Sequence, residues 1–253
     1  GQAAGRLRNT VFAHLGSDLP VVFWRQGELT DLFEESLYPV INLFIVSGGG
    51  WGDPAAGSGR GRSAGDGLRG GLVVQDLAWT RSYHFRCAVA SRVDDPGGQR
   101  ALPYVTEVRI VAHPAHRMSP LLLTAWRATQ AGWRPCLELD LAAERSAGCR
   151  EGLAFESSDG RSISVHLEWD PEGAPLSLLE VEAPGCTVHV SRSPGGAHLL
   201  QRLDCPGHVV ELSGPAGGDG PADLVADQLS RGGKDSLLRK VWPLFFELLE
   251  MSS

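Results

Sequence analysis

The sequence predicts an α/β fold: a mainly parallel sheet with flanking helices, followed by a smaller α+β part with antiparallel strands and C-terminal helices. Three observations lead there. Short apolar runs alternate with helical patterns in the first half. Closely spaced strand-like runs, separated by turn dipeptides, fill the second half. Two helical stretches close the chain. The expected division is an α/β domain over residues 1–145, with a mobile glycine-rich loop at 47–71, and an antiparallel sheet plus closing helices over 146–253.

The elements follow in order. Residues 20–24 (PVVFW) form a short apolar strand. In residues 29–38, Leu29, Leu32, Phe33 and Leu37 lie on one helical stripe. Residues 41–46 (INLFIV) are a second buried strand. Residues 75–93 read as a helix with a weak apolar stripe, and residues 105–112 as a strand. Residues 119–131 carry helix signals at both ends: Ser119 as N-cap, Pro120 at the first helical position and Gly132 after the last. Residues 137–141 alternate as a strand does. Asp159-Gly160 predicts a hairpin turn between strands at 153–156 and 162–169. Further strands are expected at 176–182, 187–191, 199–203 and 209–212, with helices at 221–230 and 235–250, the last interrupted or kinked at Pro243.

The bulk numbers exclude several classes. The net charge of −7 argues against a nucleic-acid backbone as the main partner, because phosphate binding needs a basic face. No apolar run reaches the ~18 residues of a membrane span. No signal peptide is visible, and the chain starts at Gly1 without Met, so residues upstream are expected. The five cysteines are odd in number and widely spaced, without a CxxC or CxxH pair; they read as reduced thiols of a cytosolic protein, with a redox pair whose two members the sequence does not identify as the alternative.

The glycine tract after the second strand, SGGGWGDPAAGSGRGRSAGDG, invites a phosphate-loop reading. It holds no lysine, Arg62 stands where GxGxxG needs Gly or Ala, and no helix signal follows directly. It reads as a surface connection, with a sugar-phosphate- or nucleotide-binding protein or enzyme that uses the α/β half as the alternative. His113 and His116 form an HxxH pair in a proline-containing loop with no carboxylate or cysteine nearby, so no metal is assigned. No GxSxG elbow or catalytic-cysteine signature occurs. With no nucleophile, base and oxyanion donor assembling, neither catalytic residues nor a cofactor are assigned, and the chain is read as non-enzymatic.

What stands out is rich in aromatic and arginine residues. Trp24 ends the first strand. In DLAWTRSYHFR, Trp79, Tyr83 and Arg86 share a helical face, with Asp76 three residues before Trp79. Core filling is one reading of such residues. Tryptophan and arginine anchors of a protein interface are the other, and Trp24, Asp76, Trp79, Arg81 and Arg86 are the candidate partner-binding residues.

These stretches resemble the glucose-6-phosphate dehydrogenase assembly protein family (OpcA type). Four segments carry the resemblance in order: SDLPVVFWRQGE at 17–28, INLFIVS at 41–47, VVQDLAWTRSYHFR at 73–86 and LLLTAWRATQAGWRP at 121–135. Ser47-Gly48 stands where many members carry an aspartate-serine pair, and Ser82-Tyr83-His84-Phe85 replaces the usual proline-tryptophan approach to Arg86. The resemblance implies a cytoplasmic, non-enzymatic assembly factor or allosteric activator whose partner is glucose-6-phosphate dehydrogenase, the entry enzyme of the oxidative pentose phosphate pathway.

Overall fold

The computed structural model describes residues 19–25, 41–47, 73–136, 150–231 and 236–252. The helix expected at 29–38, the glycine tract beyond Ser47 and the strand expected at 137–141 lie outside these residues.

Two sheets organise the described chain. The smaller is parallel, with β1 (Val22–Arg25), β2 (Leu43–Val46) and β3 (Val73–Asp76) in the order β1-β2-β3. Three of the four β2 residues, LFIV, are buried, as expected of a continuous apolar run in the middle of a parallel sheet. Phe23 of β1 stacks on Phe44 of β2 with ring centroids 5.6 Å apart.

The larger sheet has eight strands, in the order β11-β10-β9-β8-β4-β7-β6-β5. They are β4 (Glu107–Ala112), β5 (Arg134–Pro135), β6 (Arg150–Glu156), β7 (Ser162–Trp169), β8 (Leu178–Ala183), β9 (Cys186–Arg192), β10 (His198–Cys205) and β11 (His208–Pro215). Only β4–β7 is a parallel pairing; the rest are antiparallel. β4 thus sits between two strands from the second half of the chain. Its EVRIVA alternation puts Val108, Ile110 and Ala112 on the buried face. Arg109 lies on the other face, where it donates to Glu168 at 2.8 Å.

Six helices are described: α1 (Leu77–Arg81), α2 (Tyr83–Val93), α3 (Pro96–Ala101), α4 (Met118–Ala131), α5 (Pro221–Arg231) and α6 (Ser236–Met251). α4 and α6 pack on each other and share one core with the large sheet, in which Leu121, Leu122, Val241 and Phe245 join Val165 and Leu167. Burying each such side chain contributes about 2 kcal/mol. Gly132 ends α4 in the left-handed region, φ +69°, which favours glycine. α6 continues through Pro243.

Two local expectations change. In place of one helix over residues 75–93, the chain finishes β3 at Asp76 and then forms two helices joined at Ser82. α4 begins at Met118, not after a Ser119 cap, and the Ser119 hydroxyl accepts a hydrogen bond from Arg81 Nη1 at 3.2 Å.

Candidate functional site

The strand-to-helix turn at Asp76 positions the candidate site. Asp76 is 1% exposed. Its Oδ1 accepts from the Ala78 amide at 2.7 Å and so caps α1. The cap satisfies one of the orphan N–H groups of a five-residue helix and fixes where β3 stops.

The α1–α2 joint is held by Arg86. Its Nη1 donates to the Trp79 carbonyl at 2.7 Å and to the Ser82 hydroxyl, while Ser82 donates to the same carbonyl at 2.9 Å. The Arg86 guanidinium also lies over the Trp79 indole, a cation–π contact inside the protein. Tyr83 lies beside them. Arg231 of α5 covers its ring with Cζ 3.3 Å from the centroid, and Arg86 is 6.0 Å away. A hydrogen bond with Cys87 raises the Tyr83 phenol above its ordinary value. The Thr80 hydroxyl donates to Gln228 Oε1 at 2.9 Å, a second link from α1 to α5.

Arg81 points elsewhere. Its Nε stands 3.9 Å from Asp219, which also binds Arg192 Nη2 at 3.1 Å. Burial lowers Arg81 against the opposing pull of Asp219, and burial raises Asp219 against Arg192 and Arg81. Burial penalises both charged forms and so offsets part of the attraction within these pairs. Trp24 is partly buried against the small cluster of Ile45, Leu77 and Leu224, and its Nε1 finds no acceptor among the described residues.

Of the five residues singled out from sequence, the structure therefore brings Asp76, Trp79, Arg81 and Arg86 into one frame around α1, and puts Trp24 on the adjoining apolar cluster. The frame borders a cavity of about 380 Å³. Gln75, Trp79, Thr80, Arg86, Trp126 and Gln228 are its buried lining residues, while Cys87, Ala90 and Arg231 are exposed. Gln228 and Arg231 are not among the residues that the sequence singles out. The signal available was Asp227–Arg231 at i,i+4, an ion pair on α5, which marks a helix but not the tyrosine the arginine covers.

No group of three His, Cys, Asp or Glu residues suited to a metal occurs among the described residues. His113 accepts from the Ala115 amide through Nδ1 at 3.1 Å, a local loop role. Two cysteines depart from the expectation of free thiols: Cys186 and Cys205, at facing ends of β9 and β10, form a disulfide. Cys87 and Cys136 are free. Among the described residues no helix is long and apolar enough to cross a membrane.

The two-sheet architecture defines the class. It is shared with a 3-ketoreductase, KijD10 of Actinomadura kijaniata, solved in complex with NADP and TDP-benzene: TM-score 0.56, 10% identity, 93% of this chain and 78% of that one. A putative oxidoreductase from Thermotoga maritima is similar at TM-score 0.56 and 12% identity, over 96% of this chain and 79% of that one. At these identities the likeness is one of fold. No curated protein matches the sequence. The family model for the C-terminal domain of the OpcA-type glucose-6-phosphate dehydrogenase subunit matches residues 72–242, more than half of the chain. The chain belongs to this family, the OpcA-type glucose-6-phosphate dehydrogenase assembly family, and its role is tied to that dehydrogenase.

Proposed function

We propose that this chain is a non-enzymatic partner that binds glucose-6-phosphate dehydrogenase in the cytoplasm and shifts it toward its active oligomer. The observation that carries this reading is the family match over residues 72–242, which contains the whole frame of Asp76, Trp79, Arg81 and Arg86. The frame supports a binding role because it ties α1 and α2 to α5 and to the loop around Asp219, giving a fixed surface. A rigid surface loses little conformational entropy on association. The four frame residues act on binding by positioning the exposed groups around them, such as Cys87 and Arg231.

An activator of this kind works by differential affinity. It binds the active oligomer better than the inactive form, and the shift is limited by that difference. The test mixes the full chain with the dehydrogenase from the same source. Mass photometry should show a larger or more populated oligomer, and the apparent substrate affinity should rise. Unchanged oligomer mass together with unchanged kinetics would refute the proposal.

A further inference from the structure

The cavity beside α1 has a lining unlike the rest of the molecule. The protein carries a net charge of −7, yet the lining includes two arginines and no carboxylate. Its volume, about 380 Å³, falls in the range of small-molecule sites. Trp79, Trp126 and Leu237 provide apolar wall. Gln228 accepts from the Thr80 hydroxyl through Oε1, and its amide N–H₂ is a donor on the same lining side chain. The polar lining offers the Arg86 and Arg231 guanidiniums and the Gln228 amide N–H₂ as donors, with no ionised acceptor among the lining residues, beside the Gln75 amide and the Thr80 and Tyr83 hydroxyls. Donors beside apolar wall suit a ligand with an anionic head and an apolar body. Arg231 is partly neutralised by Asp227, which keeps it extended over Tyr83 at the mouth.

We propose that this cavity is a binding site for a small organic anion, a carboxylate or phosphate ester with an apolar body, held between the Arg86 and Arg231 guanidiniums and the Gln228 amide. The Thr80–Gln228 hydrogen bond joins two of the elements that the ligand would touch. Occupancy would tighten α1 against α5, since a ligand bridging both favours the docked arrangement. The site gives the chain a means of sensing a metabolite, independently of whether it binds the dehydrogenase.

Cys87 at the exposed mouth supplies the readout. The full chain, without the dehydrogenase, is alkylated with a maleimide, and the rate at the Cys87 peptide is followed by mass spectrometry. Phenyl phosphate and benzoate are the two anionic probes, and benzyl alcohol and inorganic phosphate are the controls. Saturable slowing at Cys87 by phenyl phosphate or benzoate is expected, and the stronger of the two identifies the head group. Arg231→Gln, an exposed substitution compatible with folding, should weaken the protecting probe by about tenfold, the loss of one charge-assisted hydrogen bond. No protection by either aromatic anion overturns the proposal, as does equal protection by benzyl alcohol. Protection by inorganic phosphate alone overturns the apolar-body assignment. Because the dehydrogenase is absent, failure here leaves the oligomer test above unaffected.

Discussion

The guanidinium carbon of Arg86 lies 3.3 Å from the centroid of the Trp79 indole. The two residues are 7% and 1% exposed, so the contact is shielded from water, where cation–π attraction is larger. The same guanidinium holds the Trp79 carbonyl, so one side chain fixes both the ring and the backbone end of α1. Arg86→Ala should lower the unfolding free energy by about 3 kcal/mol, through loss of the stack and of a buried charge-assisted donor. Arg86→Lys keeps the charge but not the planar fork, and should fall between the two. Urea denaturation followed by circular dichroism checks this. An alanine variant as stable as wild type would remove the pair from the frame.

Asp76 makes a separate prediction because its role is geometric. The carboxylate caps α1 through the Ala78 amide, and α1 is too short to persist without tertiary and capping support. Asp76→Ala should cost about 1–2 kcal/mol, whereas Asp76→Asn, which keeps an acceptor oxygen, should stay close to wild type. The ordering of melting temperatures, wild type and asparagine above alanine, is the check. If asparagine falls as far as alanine, the carboxylate's charge matters more than its cap.

The antiparallel half was legible because its signals are local. Asp159-Gly160 predicted a hairpin, and Gly160 adopts φ +82° between β6 and β7, a value that favours glycine. SISVHLEW alternates in sequence, and β7 alternates in burial over its first six residues. What was not legible depends on distant partners. Nothing near residues 107–112 tells that β4 will lie between β7 and β8. The β3 boundary was hidden because Gln75 and Asp76 are polar yet buried, which breaks the apolar pattern of a core strand. Trp79, Tyr83 and Arg86 do gather around one guanidinium, as their spacing predicts, although two helices rather than one carry them. The charged wall opposite, Arg231, arrives from far along the sequence and had no local signature.

Two imidazoles make the stability depend on pH. Burial, reinforced by Arg231, holds His84 below the ordinary value of 6.5. Burial, with Arg81 and His113, does the same to His116. Both favour the neutral form in the folded state, whereas in the unfolded chain they take up protons at about 6.5. The unfolded state therefore binds more protons below that pH, and stability is lost as pH falls from about 6.5 toward the folded values. Above pH 7 their contribution is flat. Urea midpoints measured from pH 7.5 to 5.0 should decline, and the double variant His84→Gln/His116→Gln should decline less. Equal declines would assign the effect to other groups.

The disulfide gives the last prediction. Asp204 pairs with Thr187 in the β9–β10 register, which sets Cys186 and Cys205 opposite each other one position further on. The bond closes a loop between residues 19 apart in sequence. In the chain-entropy account, closing a loop of that length stabilises the fold by about 3 kcal/mol. The chain has five cysteines, and two are joined, so the denatured, unreduced protein should take up no more than three iodoacetamide groups, against five after reduction. Cys186→Ser/Cys205→Ser should lower the urea midpoint relative to the oxidised protein and match the reduced wild type. Five alkylated residues in the unreduced, freshly purified protein would return these cysteines to the thiol state that their spacing in sequence suggested.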